Sequence, residues 1–290
     1  IEPYEVIDFS ANINPLGPSQ RGLSALESKL RYISHYPDAT NDDILNAIAD
    51  IYGMNKNQIV VGNGAAELLY AICRLPGYTG AFVPAPGFSE YKAALEASRI
   101  PVRDIYYRPR EDEHGKPYFE VPYLALETFA AELKGQDGRI IVFLGNPNNP
   151  DGTLLDKNHI RTIASMLKDA NSLLVIDESF IDFVGNDTLQ DNEYSMRSLV
   201  NEFDNIIVVH SFTKFYAVPG LRIGAAFSNP LIIEQLNSFI PTWSVNTLAQ
   251  SYTEAALNDV EYVKRTKQVL HEEQLFMYNS LDTIDGITVY

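Results

Sequence analysis

Short apolar runs that stop abruptly at glycine, asparagine, aspartate or serine recur along this chain, and that punctuation constrains its fold more than any other feature. Ile59-Val60-Val61 stops at Gly62-Asn63-Gly64, and Ile141-Val142-Phe143-Leu144 at Gly145-Asn146-Pro147. Leu173-Leu174-Val175-Ile176 stops at Asp177-Glu178-Ser179, and Ile207-Val208-Val209 at His210-Ser211-Phe212-Thr213-Lys214. Runs this short and this continuous read as strands buried on both faces. Strands are expected at 58–61, 81–84, 140–144, 173–176, 206–209 and 223–227. Helical spacing of apolar residues between them predicts helices at 65–75, 89–97, 124–133, 157–169 and 194–202. The alternation specifies an α/β fold with a mainly parallel sheet covered on both sides. Such sheets bind ligands beyond the carboxyl ends of their strands, which is where the polar clusters fall.

Composition narrows the function. A formal net charge of −16 argues against nucleic acid or an anionic membrane as the main partner. Cys73 is the only cysteine, so no disulfide can form within one chain. The histidines are scattered, without H-E-x-x-H or C-x-x-C, so no metal site is expected. With no signal-peptide pattern and no apolar run of membrane-spanning length, a cytoplasmic enzyme is the default expectation.

The polar clusters have chemistry in common. A lysine that forms a Schiff base must lose its proton, so it needs a site that disfavours its charge. Lys214, after an apolar strand and near Arg222, fits that need; a surface loop lysine is the plain alternative. Asp177 could hold a pyridine nitrogen protonated and so make the ring an electron sink, or could simply cap a turn. Asn149 could donate to a ring hydroxyl oxygen, although Asn-Pro is also ordinary turn chemistry. Gly62-x-Gly64 before a helix offers N–H groups to a phosphate. Ser211, Thr213 and Arg222 could supply hydroxyl and guanidinium donors to the same group. Phe88 could stack on a ring face or belong to the core.

Together these residues carry a pattern. The stretch from Ser211 through Lys214 and Gly220 to Arg222 and Gly224 resembles the lysine signature of class I/II pyridoxal-phosphate aminotransferases. Asn146-Pro-Asn-Asn149-Pro-Asp-Gly152 and Asp177-Glu-Ser-Phe180 resemble that family's N-P-x-N-P-x-G and D-E-x-[YF] blocks. The segment Asp8-Phe-Ser-Ala-Asn12-Ile-Asn14-Pro-Leu-Gly17, followed by His35-Tyr36-Pro37, is similar to the branch holding histidinol-phosphate aminotransferase and threonine-phosphate decarboxylase. The resemblance implies pyridoxal 5′-phosphate on Lys214, with Asp177 as its ring partner. It also implies a large domain with a seven-stranded-type sheet, divided here as an arm at 1–35, a cofactor domain at 36–250, and an interdomain helix opening an incomplete small domain at 251–290. By the same resemblance Asn63, Gly64 and Ala65 give backbone contacts to the phosphate, and Asn14 lines the substrate side. Tyr36 would reach the phosphate of a second subunit, which implies a homodimer with shared sites.

Two departures sharpen the reading. Aminotransferases of this family usually carry tyrosine where Phe180 stands, so Asn149 is left to hold the ring oxygen. Phe180, with Gly62–Glu67 and Trp243–Gln250, leans towards decarboxylation of an L-amino-acid O-phosphate, most of all L-threonine O-3-phosphate. The alternative is a histidinol-phosphate-type transfer of an amino group to 2-oxoglutarate. Towards the other end, a helix expected at 258–281 leads to an alternating segment at 287–290 that reads as a strand, and residues after 282 are expected to pack poorly. The arginine that would grip a substrate carboxylate is not among these residues. Two readings from other classes fit the sequence less well. Ser211-Phe-Thr-Lys214 fits the S-x-x-K of penicillin-binding enzymes, but no S-D-N or K-T-G follows. A non-catalytic binding module is disfavoured because the lysine, aspartate, asparagine and arginine are all present.

Overall fold

The computed structural model describes residues 9–133, 138–185, 188–190 and 192–290. Asp8, part of the opening motif, lies outside the described residues. In chain order the elements are α1 (Gln20–Lys29), α2 (Asp42–Tyr52), β1 (Ile59–Gly62), α3 (Gly64–Cys73), β2 (Tyr78–Ala85), α4 (Glu90–Ala97) and β3 (Val102–Tyr106). Then come β4 (Arg108–Glu111), β5 (Pro117–Glu120), α5 (Tyr123–Glu132), β6 (Arg139–Gly145), α6 (Lys157–Asp169), β7 (Leu173–Asp177) and β8 (Ile206–Ser211). The rest is α7 (Phe212–Phe215), β9 (Gly224–Phe227), α8 (Pro230–Phe239), α9 (Thr247–Leu257) and α10 (Val260–Asp282).

β1, β9, β8, β7, β6, β2 and β3 form one seven-stranded sheet in that order. β9 alone runs against the others, since both its pairings are antiparallel and the remaining ones are parallel. Alternation along the strands separates two cores. Leu174, Ile176 and Val208 face a core completed by α2, α5, α6 and α9, whereas Val175, Val209 and Phe143 face one completed by α3, α4 and α8. A mostly parallel sheet needs this double cover, because neither face can be left wet.

The six strands expected between residues 58 and 227 are all present, within a residue or a few at their ends. β3 went unread because Val102-Arg-Asp-Ile-Tyr is an edge strand with only Ile105 buried. The hairpin β4–β5 is also new; β4 is exposed along its length. Two expectations are corrected. The segment 194–202 is not an α-helix but a short 3-10 turn at Arg197–Asn201. Side chains capture its leading amides: Asn192 Oδ1 accepts from Tyr194 N at 3.0 Å and Glu178 Oε1 from Met196 N at 2.6 Å. The segment 287–290 pairs with no strand among the described residues. Its Tyr290 leans on Phe119, ring centroids 4.8 Å apart, and stays 52% exposed.

The N-terminal segment is docked onto the end of the chain by small, specific contacts. Ser19 caps α1 through Gly22 N and bonds Asp259 at 2.6 Å. Gly22 lets α1 lie directly on α9, where an added Cβ would fall 2.5 Å from the Tyr252 ring. The Tyr252 hydroxyl, trapped there, accepts from Ser19 N and donates to Tyr216 O. Gly22→Ala must therefore move a ring held by two hydrogen bonds. It should lower the unfolding free energy by about 1–3 kcal/mol, read as a lower urea midpoint at unchanged m-value; an unchanged midpoint would mean that α1 is not held this closely.

Candidate active site

The register of the ladders brings the polar ends together. Gly145 lies opposite Asp177, Asp177 opposite Val209, and Ser211 and Gly62 both opposite Gly224. Just beyond this line opens a cleft of about 490 Å³. Lys214, Asp177, Asn149 and Phe88 line it, together with Phe180 and Tyr91.

Each of these groups is held. Asp177 accepts from the Tyr91 hydroxyl at 2.9 Å and from Ser179 N at 2.9 Å. Burial, and then the negative charge of Asp177, push the Tyr91 hydroxyl well above its usual pKa, so it remains a donor. Tyr91 is fixed in turn by stacking on Phe143, at 5.3 Å, with Phe88 edge-on at 5.7 Å. Lys214 Nζ lies 3.2 Å from Ser211 Oγ and 5.6 Å from the centre of the Phe180 ring. Burial lowers the pKa of its amine; Asp177 pulls the other way and Arg222 adds to the lowering. The net effect favours a neutral, nucleophilic amine.

Beside Lys214 lies a second cluster. Ser211 Oγ and Thr213 Oγ1 are 2.8 Å apart, and both residues are buried. Arg222 takes a left-handed backbone conformation, φ 56°, and its guanidinium sits over Gly64. A Cβ on Gly64, itself at φ +82°, would come within 2.3 Å of Arg222 Nη2, so the guanidinium occupies space that only glycine leaves open. Gly64 and Ala65 open α3, whose first N–H groups lack helical acceptors. Two hydroxyls, a guanidinium and a helix start make a donor set suited to a phosphate. With a carboxylate and a depressed lysine alongside, the described residues fit pyridoxal 5′-phosphate.

Three expected residues stand elsewhere. Asn14 does not reach the cleft: it is buried, and its Nδ2 contacts Phe215 O, Tyr262 Oη and Thr266 Oγ1 at 2.9–3.0 Å. It anchors the segment instead, while Phe9–Ile13 provide the wall that was expected of it. The Asn63 amide is occupied by Glu67 Oε2 at 2.6 Å, which removes it from the phosphate donors. Tyr36 is 77% exposed, outside the cleft, and stacked on Trp243 at 4.3 Å. Sequence reasoning missed Tyr91, whose signal was its place one helical turn beyond Phe88. It also missed the contribution of Ser179, which follows from the turn after Asp177. Ser211 is buried and does not line the cleft, a poor position for an acyl-enzyme nucleophile.

Known proteins resemble this chain in sequence and in fold. A family model described as aminotransferase class I and II matches residues 4–290. The adenosylcobalamin biosynthesis bifunctional protein CobDQ of Leptospira interrogans is 36% identical over 92% of this chain, which spans 29% of that relative's length. Threonine-phosphate decarboxylase of Salmonella typhimurium is 33% identical over 100% of this chain, which spans 75% of its length. In fold, the chain superposes on histidinol-phosphate aminotransferase from Clostridium acetobutylicum with a TM-score of 0.81 at 23% identity, covering 98% of this chain and 80% of that one.

The depressed lysine has a measurable consequence. A lysine whose folded pKa lies below its unfolded value destabilises the fold fully at pH below the folded pKa. The penalty fades as pH rises from there towards the unfolded value of about 10.4. Lys214→Met removes the buried ammonium at similar volume, so without cofactor it should be more stable than the unaltered protein at neutral pH. The gap should close as pH approaches that upper value, in urea unfolding of both proteins across the range. A gap of constant size would show that the amine is not responsible.

Proposed function

The chain belongs to the class I and II aminotransferase family, whose members depend on pyridoxal 5′-phosphate, and on that footing we propose that it decarboxylates an L-amino-acid O-phosphate, L-threonine O-3-phosphate first among them. The observation that carries the choice is Phe180. An apolar ring faces Lys214 in the cleft wall where the resemblance implies a tyrosine in aminotransferases. The identity to threonine-phosphate decarboxylase supports the same reading.

The cofactor, when bound, supplies an electron sink for the pair left by a bond broken at the substrate Cα. This chain's residues then divide the work. Lys214 would hold the cofactor covalently, and its amine would be the group that gives or takes a proton at the substrate Cα. Asp177, oriented by Tyr91 and Ser179 N, keeps a proton on the ring nitrogen. Asn149 would donate to the ring oxygen, and Phe88 would stack on a face of the ring, since both line the cleft. Arg222, Ser211, Thr213 and the amides of Gly64 and Ala65 hold the phosphate. Phe9–Ile13 form part of the cleft wall and narrow access to it.

Which Cα bond breaks is a question of orientation. The bond held perpendicular to the ring plane is the one whose electrons enter the ring system. A site that held the carboxylate there would favour loss of CO₂; one that held the hydrogen there would leave Lys214 a proton to remove, as amino transfer requires. Residues outside the machinery just described decide between them. The division into an arm at 1–35, a cofactor domain at 36–250 and the start of a small domain at 251–290 is part of the proposal. So are a cytoplasmic location and a homodimer in which Tyr36 serves a partner's phosphate. Among the described residues no helix is long and apolar enough to cross a membrane, and the exposed Tyr36–Trp243 stack supports a covering partner.

Product analysis tests the reaction. Incubated with threonine phosphate and pyridoxal 5′-phosphate, the protein should release CO₂ and aminopropanol phosphate without any 2-oxo acid. Consumption of histidinol phosphate only in the presence of 2-oxoglutarate, with no CO₂ from threonine phosphate, would establish the transferase instead.

A further inference from the structure

The sheet ladders stop just short of the site. The β7–β8 ladder ends at the pair Asp177–Val209 and the β6–β7 ladder at Gly145–Asp177, so Asn149, Phe180 and Lys214 all lie on segments beyond the last pair. Something else must set the spacing of those segments. On the sheet face opposite the cleft side chain of Asp177 lies a buried polar cluster that the proposed chemistry does not use. His210, Asp182, Tyr52, Arg197 and Glu178 are each at most 4% exposed. His210 immediately precedes Ser211, and Glu178 immediately follows Asp177, so each belongs to a site-bearing segment yet points away from the cleft.

The bonding is specific. Asp182 Oδ2 lies 3.0 Å from His210 Nε2 and accepts from the Tyr52 hydroxyl at 2.8 Å. The Arg197 guanidinium lies over the Tyr52 ring at 4.2 Å and 3.6 Å from Glu178 Oε2, an ion pair too long for a hydrogen bond. Glu178 also accepts from Asn146 Nδ2 at 3.1 Å and from Ser195 Oγ at 2.7 Å. The segments after β6 and β7 are thereby joined from behind to His210, the last residue of β8 before Ser211. Burial works to raise the Asp182 carboxyl's pKa, but the charges of His210 and Arg197, with hydrogen bonds from His210 and Tyr52, outweigh it and hold the carboxyl below its usual range. Burying such groups is costly, and a core of similar volume made of apolar residues is often as stable. What an apolar core cannot supply is a directional tie between two loops.

We propose that His210 and Asp182 are positioning residues for the cofactor site, their hydrogen bond fixing the Asp177–Phe180 turn against the Ser211–Lys214 segment and so setting the Lys214 amine relative to the Asp177 carboxylate. The proposal rests on the cofactor reading of that site. His210→Leu removes the tie. His210→Gln keeps a nitrogen donor near the place of Nε2 and is the conservative control.

The test is absorbance titration of the unaltered protein and both variants with pyridoxal 5′-phosphate, followed by pH titration of the visible band, under conditions where circular dichroism shows all three folded. His210→Leu should bind at least ten-fold more weakly and shift the midpoint of the band's pH titration, and His210→Gln should recover most of both. A folded His210→Leu with unaltered affinity and midpoint overturns the proposal, even if its unfolding midpoint has dropped, because that is the signature of a merely structural role. Should His210→Leu fail to fold, Asp182→Asn takes its place with the same expectation and the same overturning result. Absence of binding by the unaltered protein would remove the site reading and the proposal with it, whereas binding there and unchanged binding in the variants removes the proposal alone.

Discussion

Asp177 and Lys214 feel one another's charge because β7 and β8 are parallel, adjacent and buried on both faces, and end within two residues of each other. Most of the molecule's arrangement follows from that juxtaposition. The strands can end together only if helices cover both faces of the sheet, and the crossovers that supply those helices deliver their loops to one edge. At that edge an ammonium loses hydration without gaining a full partner. Its nearest carboxylate is already occupied by Tyr91 and the Ser179 amide. The result is an amine disposed to lose its proton, which is what covalent capture of an aldehyde requires.

The same edge solves a problem of sign. A chain of net charge −16 repels anions at long range, yet the donors proposed for the phosphate are gathered locally. Arg222 reaches over Gly64 through a left-handed backbone turn, and α3 points its free amides at the same spot. Close range and low dielectric let a few fixed donors outweigh a diffuse field that salt screens. Glu67 limits the set: by taking the Asn63 amide and the Ser244 hydroxyl, it ties the phosphate turn to the loop carrying Trp243. On the proposed reading the two sheet faces carry different duties, chemistry on one and loop alignment on the other.

Much of this was legible in the sequence because it depends on period and punctuation. Strands buried on both faces announce themselves as apolar runs, and the residues after them are the cleft residues Asp177, Asn149 and Lys214. Edge strand β3 was not legible, since Val102-Arg-Asp-Ile-Tyr resembles a polar loop until a neighbour pairs with it. The segment 194–202 has helical spacing, but Glu178 and Asn192 take its amides, and tertiary hydrogen bonds overrule local pattern. The segment around Asn14 was expected on the substrate side, and Phe9–Ile13 do line the cleft while the Asn14 side chain turns inward, because a motif does not say which way a side chain turns. The cluster around His210 could not be read at all: Tyr52 and Asp182 stand 130 residues apart, and each member alone is an ordinary residue.

The central claim is that Lys214 is the covalent seat of pyridoxal 5′-phosphate. Borohydride reduction of the cofactor-loaded protein, followed by proteolysis and mass spectrometry, addresses it directly. The account predicts one pyridoxyl-phosphate group per chain, on the peptide containing Lys214. Label spread over exposed lysines with Lys214 unmodified would contradict it.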